Sequence, residues 1–263
     1  MLDCRSGPGI PGQMLVLSGQ TSPLGGVCFI MQQGQWPNFD IYKQMKINFT
    51  YNEDKDIECL LTLGIGKIHE PGLKTKTYEE LLAFTPDVGN PEKVREFVRY
   101  YISKNGIDLL RSKDSLQRSW DSIADRFEAR AERIFGIKIA HNINAYMTIT
   151  GRYPYYVFDE DKCFYVPADK ENANATAMHE LWHFYTSYKF GSKEVENEER
   201  FSVPAEALTV LLNSECADLM GGVIDDRYPQ YARLRETVAD EWARSKDINK
   251  VWDTLRSSWA SGS

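Results

Sequence analysis

Hydrophobic positions recur at two different spacings along the chain, and each spacing predicts a type of element. From Ile41 to Tyr51 apolar residues alternate with polar ones, with Met45, Ile47 and Phe49 on one side, which is typical of a strand. Other stretches repeat every three to four residues, which is typical of helices with one apolar face. These helical stretches cover about residues 91–105, 115–135, 229–245 and 248–259.

Capping residues mark the ends of the first two predicted helices. Asn90 stands directly before Pro91, a combination that favours the first turn of a helix. Gly106 and Gly136 follow the last apolar positions of the two stretches, where glycine commonly ends a helix. Both helices are therefore expected to pack through their apolar faces.

The pattern changes after Gly136, and the order of elements predicts an α+β fold. The segments expected to be strands are 137–148, 155–158 and 163–166, and those expected to be helices are 172–188 and 203–214. Helices, then a few strands, then helices predict a small mixed or antiparallel sheet followed by a mainly helical C-terminal part. The predicted divisions are a flexible leader rich in Gly, Pro and Ser, an N-terminal α+β region and a C-terminal domain, over residues 1–38, 39–135 and 136–263.

Charge and composition exclude several classes of protein. The net charge is −7, and residues 136–263 carry 20 acidic against 14 basic side chains, which argues against nucleic-acid binding. No apolar run approaches the ~18 residues needed to span a membrane, and the N-terminus makes a poor signal peptide. The five cysteines are scattered without CxxC spacing, so neither a disulfide framework nor a zinc ribbon is expected. A cytoplasmic protein is the expectation.

Two of the four histidines stand in the sequence His179-Glu-Leu-Trp-His183. On a helix, this spacing places both imidazoles on one face, where they can bind one Zn²⁺ ion. Glu180 is placed to accept a proton from a water that the metal activates. With this composition the motif arises by chance on the order of 0.003 times per chain, and its apolar flanks predict a buried helix rather than a solvent-exposed one.

A catalytic zinc site needs a third protein ligand, and no histidine remains downstream of His183. Glu206 lies on the same helical stripe as Val203, Ala207 and Val210, so its carboxylate is expected to face the apolar side, where it needs a cation. Glu206 is therefore the preferred third ligand. Glu199 is the next candidate and Glu215 the last, and Glu194, Glu196 and Glu198 belong with Glu199 to an acidic run that is typical of a solvated loop.

These residues resemble the gluzincin metallopeptidases, the thermolysin-like zinc enzymes. The resemblance rests on His179-Glu-Leu-Trp-His183 and on the glutamate 23 residues after His183, and it covers about residues 137–215. It also includes Asn144-Ala145-Tyr146, which are similar to the family's edge strand that binds the backbone of a peptide substrate. The resemblance implies a zincin-like catalytic domain over residues 136–263, in which the edge strand packs on the zinc-binding helix.

Two features depart from the family's pattern. The family often has an aspartate four residues after the ligand glutamate, which orients the first histidine, but Val210 occupies that position here. The orienting carboxylate is therefore expected elsewhere, from Asp169 or Asp218. The family's residue that stabilises the tetrahedral intermediate has no clear counterpart, although Arg227, Tyr228 and Tyr231 lie in the corresponding part of the chain.

Three functions follow from these motifs. The first is a peptidase that binds one Zn²⁺ per chain, acts on peptides or proteins and uses Glu180 as its general base. The second is an intracellular regulatory protein that has the same site but acts on a single protein partner. The third is a non-catalytic module in which zinc only ties two helices together, and this one requires a closed shell of four protein ligands.

Overall fold

The computed structural model describes residues 45–66, 76–149, 162–168, 173–191, 198–226 and 229–262. These residues belong to a compact unit that spans Gln44–Ser263. The predicted leader and the predicted strand at 155–158 lie outside the described residues.

Three strands form a parallel sheet in the order β1 (Lys46–Tyr51), β2 (Asn142–Thr148) and β3 (Cys163–Pro167). Lys46 lies opposite Asn142 in the first pair, and Asn144 lies opposite Cys163 in the second. The prediction of a mixed or antiparallel sheet is therefore wrong. Parallel neighbours need a crossover of a dozen or more residues, and both connections are long enough to allow one, so the chain can enter each strand from the same end of the sheet.

Helices make up most of the described chain, and several differ from the predicted ones. The predicted helix at 115–135 is interrupted at Ser122 and Ile123, and the predicted helix at 203–214 is two shorter helices. The helices are α1 (Glu53–Gly66), α2 (Lys76–Phe84), α3 (Pro91–Asn105), α4 (Leu109–Asp121), α5 (Ala124–Phe135), α6 (Asn174–Phe190), α7 (Glu198–Leu208), α8 (Leu211–Glu215), α9 (Ala232–Ser245) and α10 (Ile248–Gly262). Among the described helices, none has both the length and the apolar character that crossing a membrane requires.

The predicted caps of α3 are confirmed. The side chain of Asn90 accepts hydrogen bonds from the backbone N–H groups of Glu92 and Lys93. Gly106 ends the helix with a φ of 61°, a left-handed conformation that favours glycine. Local residue chemistry therefore fixes both ends of this helix.

One face of the sheet packs into the main hydrophobic core, which α6 crosses. Apolar residues of all three strands, among them Phe49, Ala145 and Phe164, belong to the same core cluster as most of α6. Trp182 of α6 meets Phe135 of α5 edge to face, with ring centroids 5.0 Å apart. Because α6 is buried on nearly every side from residue 176 to 186, its rotation about its own axis is set by packing.

A buried carboxyl group connects α1 to the end of β2. Asp56 is fully buried and accepts a hydrogen bond from the hydroxyl of Thr148, at 2.6 Å, and another from the N–H of Ile149, at 3.2 Å. Burial raises the pKa of Asp56 to about 7, although these hydrogen bonds oppose the change, and the nearby Glu53 carboxylate adds to it. Between about pH 4 and pH 7, the carboxyl group of Asp56 is therefore protonated in the folded chain and ionised in the unfolded chain.

The pH dependence of stability tests this assignment. Because the pKa of Asp56 is higher in the folded than in the unfolded chain, its contribution favours folding most below about pH 4 and is lost as the pH rises towards about 7. Asp56→Asn is expected to remove this part of the pH dependence of the free energy of unfolding, which amounts to about 1.4 kcal/mol per pH unit between the two pKa values. Urea unfolding at pH 5 and pH 8 measures the free energy of unfolding of both chains. Asp54→Asn, at an exposed carboxylate on the same helix, is the control, and an unchanged pH dependence in Asp56→Asn would contradict the assignment.

Candidate metal centre

Helix α6 brings His179 and His183 together, as the spacing of the motif predicts. The side chains lie one turn apart on one face, and each residue is only 3% exposed. Their Nε2 atoms are 3.1 Å apart, and the two rings are nearly perpendicular. Two ring nitrogens thus point at the same small volume from one rigid helix.

Helix α7 brings Glu206 to the same volume. Its Oε2 lies 3.4 Å from Nε2 of His179, and its Oε1 lies 3.5 Å from Nε2 of His183. Ligand atoms of these three residues all lie within 4.8 Å of one another, which makes them a candidate metal-binding group. The structure therefore places together the three residues that the sequence predicts as ligands.

The donor atoms lie close to the spacing that a tetrahedral metal ion requires. Zinc binds imidazole nitrogen and carboxylate oxygen at about 2.0–2.1 Å, so two ligands of a tetrahedral ion lie about 3.3–3.4 Å apart. The two Nε2 atoms are 3.1 Å apart, and the two carboxylate oxygens of Glu206 lie 3.4 and 3.5 Å from one imidazole each. With one ligand atom from each residue, the three atoms lie within 4.8 Å of one another, so a small adjustment of the side chains would bring them to that spacing. Two imidazoles and a carboxylate also form a donor set that suits zinc, so the residues present fit a divalent metal ion of this kind.

The electrostatics of the group favour a cation at its centre. Burial alone would lower the pKa of His179, but the carboxylates of Asp225 and Glu206 outweigh it and raise that pKa to about 10. Burial would likewise raise the pKa of Glu206, yet the two imidazoles hold it well below its usual range. Without a metal, His179 is thus expected to stay protonated at neutral pH, so that a positive charge lies where a metal cation would bind.

Glu180 follows His179 directly on α6 and is 5% exposed. Its charge is close enough to contribute to the raised pKa of His179, although it is not a member of the three-residue group. The structure thus places Glu180 beside the candidate metal ligands but not among them.

A loop carboxylate, Asp225, orients the first histidine. Its Oδ2 lies 3.3 Å from Nδ1 of His179, on the opposite side of the ring from the candidate metal position. Such a carboxylate fixes the tautomer and orientation of a histidine ligand. Of the two positions suggested by the sequence, Asp218 pairs with Arg130 on the surface instead, and Asp169 lies outside the described residues.

Asp225 is held firmly, although it lies in a loop. The side-chain amide of Asn213 accepts a hydrogen bond from the N–H of Asp225, at 2.8 Å, and donates one to its carbonyl, at 2.9 Å. The loop reaches this position through Gly221 and Gly222, whose φ angles of 62° and 83° favour glycine. Burial acts to raise the pKa of Asp225, but its contact with His179 lowers it to about 2, so this group is ionised at neutral pH.

A buried arginine links the orienting carboxylate to the third ligand. Arg235 of α9 is 8% exposed, and its guanidinium donates to the carbonyl of Asp225 and to the hydroxyl of Thr209, the latter at 3.0 Å. Thr209 donates in turn to the carbonyl of Glu206, at 2.8 Å. One network therefore positions both Glu206 and the partner of His179.

Sequence reasoning missed Asp225 and Arg235. Asp225 follows two apolar residues in a loop without periodicity, and nothing in the sequence separates it from Asp226 beside it. Arg235 is one of several charged residues in α9, and only the folded structure shows that it is buried. The interactions of both residues depend on packing between segments distant in sequence.

Among the remaining candidate ligands, Glu215 is the one whose side chain the structure describes, and it has other partners. Glu215 accepts a hydrogen bond from the indole of Trp242, at 2.7 Å, and one from Lys246, at 3.0 Å, so it ties α8 to the C-terminal helices. Glu194 and Glu196 fall outside the described residues, as do Arg227 and Tyr228. Residues 198 and 199 form the start of α7, a segment expected to be a loop, and their side chains are outside the description. Tyr231 ends a short 3-10 helix before α9.

The segment predicted to bind a peptide as an edge strand lies at the centre of the sheet. Asn144, Ala145 and Tyr146 belong to β2, which pairs with β1 on one side and with β3 on the other. The prediction of an edge strand is therefore wrong, because the backbone groups of β2 face neighbours on both sides. Substrate binding by these three residues stays a prediction, and it cannot rest on backbone pairing.

Comparison of the chain with protein-family models, with curated proteins and with solved structures gave no match.

Removing the charge of Asp225 should weaken metal binding without removing a ligand. Asp225→Asn is expected to lower zinc affinity by about 10–100-fold, because the neutral amide no longer stabilises the orientation and basicity of His179. Competition for zinc with a chromophoric chelator measures this affinity. Asp226→Asn, at the exposed neighbouring residue, is the matched control. Equal affinities for the two variants would show that Asp225 does not support the site.

Proposed function

We propose that this chain is a zinc-dependent peptide-bond hydrolase of the gluzincin type, which binds one zinc ion and acts on peptides or proteins. The observation that carries the proposal is the triangle of donor atoms from His179, His183 and Glu206, with Glu180 next to it in the sequence. Among the described residues, no further His, Cys, Asp or Glu joins this group. A site with three protein ligands and one open position is typical of catalytic zinc.

Each residue of the site has a role in such a reaction. Nε2 of His179, Nε2 of His183 and the carboxylate of Glu206 would hold the ion. When bound, zinc supplies Lewis acidity, which polarises a carbonyl group and lowers the pKa of a water molecule. The carboxylate of Glu180 accepts the proton of the attacking water and passes it to the leaving amine. Asp225 keeps Nδ1 of His179 protonated, so that Nε2 stays free to donate its lone pair.

Metal analysis combined with a cleavage assay tests the proposal. The purified full chain is expected to contain about one zinc per molecule and to cleave casein-derived peptides. Treatment with 1,10-phenanthroline should abolish the cleavage, and one equivalent of zinc should restore it. A zinc-loaded chain that cleaves none of these peptides and no protein substrate would contradict the proposal.

A non-catalytic zinc module is the second candidate, and the burial of the site favours it. His179 and His183 are each 3% exposed, as expected for a metal that only ties α6 to α7. The two functions differ in the number of protein ligands. X-ray absorption at the zinc edge should show two nitrogen ligands of imidazole and additional oxygen ligands that include solvent if the site is catalytic. A fourth protein ligand would support the structural role.

A further inference from the structure

Two cysteines that the proposed function does not use are buried together on the other face of the sheet. Cys59 lies on α1, and Cys163 is the first residue of β3. Each is 1% exposed, and with Tyr165 they form a small cluster that is separate from the main core. The sheet and α1 thus bring together two thiols that are far apart in the sequence.

The surroundings of Cys163 include a cation. Lys55 lies one turn before Cys59 on α1 and pairs with Glu58, at 2.9 Å. The hydrogen bond that Lys55 donates to the carboxylate of Glu58 is the main cause of the raised pKa of Lys55, and the sulfur of Cys163 adds to it. A nearby ammonium group favours the thiolate, which is the reactive form of cysteine.

The third cysteine among the described residues has different surroundings. Cys216 is fully buried in the main core, and burial raises its pKa to about 11, which disfavours the thiolate. Cys59 and Cys163 share one small cluster, whereas Cys216 lies in the main core and provides an internal control of similar burial.

We propose that Cys59 and Cys163 are a peroxide-sensitive pair that closes into a disulfide bond between α1 and β3. The thiolate of Cys163 attacks one oxygen of hydrogen peroxide, which breaks the O–O bond and gives a sulfenic acid and water once a proton is taken up. The thiolate of Cys59 then attacks that sulfur and displaces the oxygen as a second water. Two thiols and one peroxide thus give one disulfide and two waters, and two electrons pass from sulfur to oxygen.

The bond would join α1 to the strand that leads into α6. It would close a loop of about a hundred residues, and a cross-link of that length restrains the unfolded chain strongly. Oxidation is therefore expected to stabilise the fold without touching the metal ligands, and it is independent of whether the chain hydrolyses peptides.

Peroxide treatment followed by peptide mapping tests the pair. Cys4 and Cys28, which lie outside the described residues, are first replaced by serine, and the folded chain is then exposed to hydrogen peroxide. The expected result is a loss of two thiols per chain, a mass lower by about 2 Da from two lost hydrogens, and a cross-linked peptide that contains Cys59 and Cys163. The midpoint of urea unfolding should move to higher concentration and return after reduction.

Single variants separate this chemistry from general oxidation. Cys59→Ala should convert Cys163 into a sulfinic or sulfonic acid without a cross-link, whereas Cys216→Ala should leave the disulfide yield unchanged. A cross-link that involves Cys216, or independent oxidation of Cys59 and Cys163 to sulfinic acids in the chain that has both, would overturn the proposal. So would two thiols that remain free after prolonged exposure.

Discussion

Glu180→Gln is expected to abolish peptide hydrolysis while the zinc content stays near one per chain. The substitution keeps the size of the side chain and removes only its ability to accept a proton. General base catalysis contributes about 10²–10⁴-fold to rates, so the loss should be at least of this order. Because Glu180 is not part of the three-residue metal group, metal binding should survive.

Turnover of casein-derived peptides and zinc per chain are measured on the same preparation of Glu180→Gln. Glu236→Gln, an exposed glutamate on α9, is the control and should match the unmodified chain in both measurements. If Glu180→Gln cleaves at the normal rate, Glu180 is not the base. The inactive variant can also be used to capture substrates. If the protein is regulatory, the variant should retain one dominant protein partner; if it is a general peptidase, the variant should retain a broad mixture of peptides.

Glu206→Gln is expected to lose most of the affinity for zinc, by more than about 100-fold. The neutral amide is a poor zinc ligand and no longer offsets the charge of the cation. Glu206 also contacts both histidines from α7, with carboxylate oxygens 3.4 and 3.5 Å from the two imidazoles. Because α6 and α7 also share the main hydrophobic core, the variant is expected to fold and to lose mainly its metal.

Zinc per chain after dialysis at neutral pH is the measurement for Glu206→Gln. Glu199→Gln and Glu215→Gln, at the two rival positions, should keep their zinc. Glu215 has its own partners in Trp242 and Lys246, so its substitution should cost some stability but no metal. Retention of zinc by Glu206→Gln together with its loss in Glu199→Gln would move the third ligand to the start of α7.

Residues that belong to a single helix could be predicted from the sequence. The spacing of His179 and His183 puts them on one face of any helix, and the apolar flanks require that helix to be buried. Glu206 could be predicted because it falls on an apolar stripe, where an unpaired carboxylate is costly. The caps of α3 follow from residue chemistry in the same way.

Features that depend on segments far apart in the sequence could not be predicted. Strand direction depends on how the helices between β1 and β2 pack, of which the structure describes α1 to α5, and the alternating pattern of β1 is compatible with either direction. Asp225 reaches His179 only because α8 and α9 hold its loop, through Asn213 and Arg235. No local pattern marks such a residue.

The parallel pairing of β1 with β2 also sets the order in which the protein can assemble during synthesis. Asn48 and Asn144 lie side by side in the sheet, yet 96 residues separate them along the chain. At typical translation rates, β1 waits roughly 5–20 s before its partner strand exists. Arg235 is made later still, and it holds the loop that orients His179. The network that orders the candidate metal centre is therefore complete only after Arg235 has been synthesised, so the site cannot be ordered when His179 first emerges.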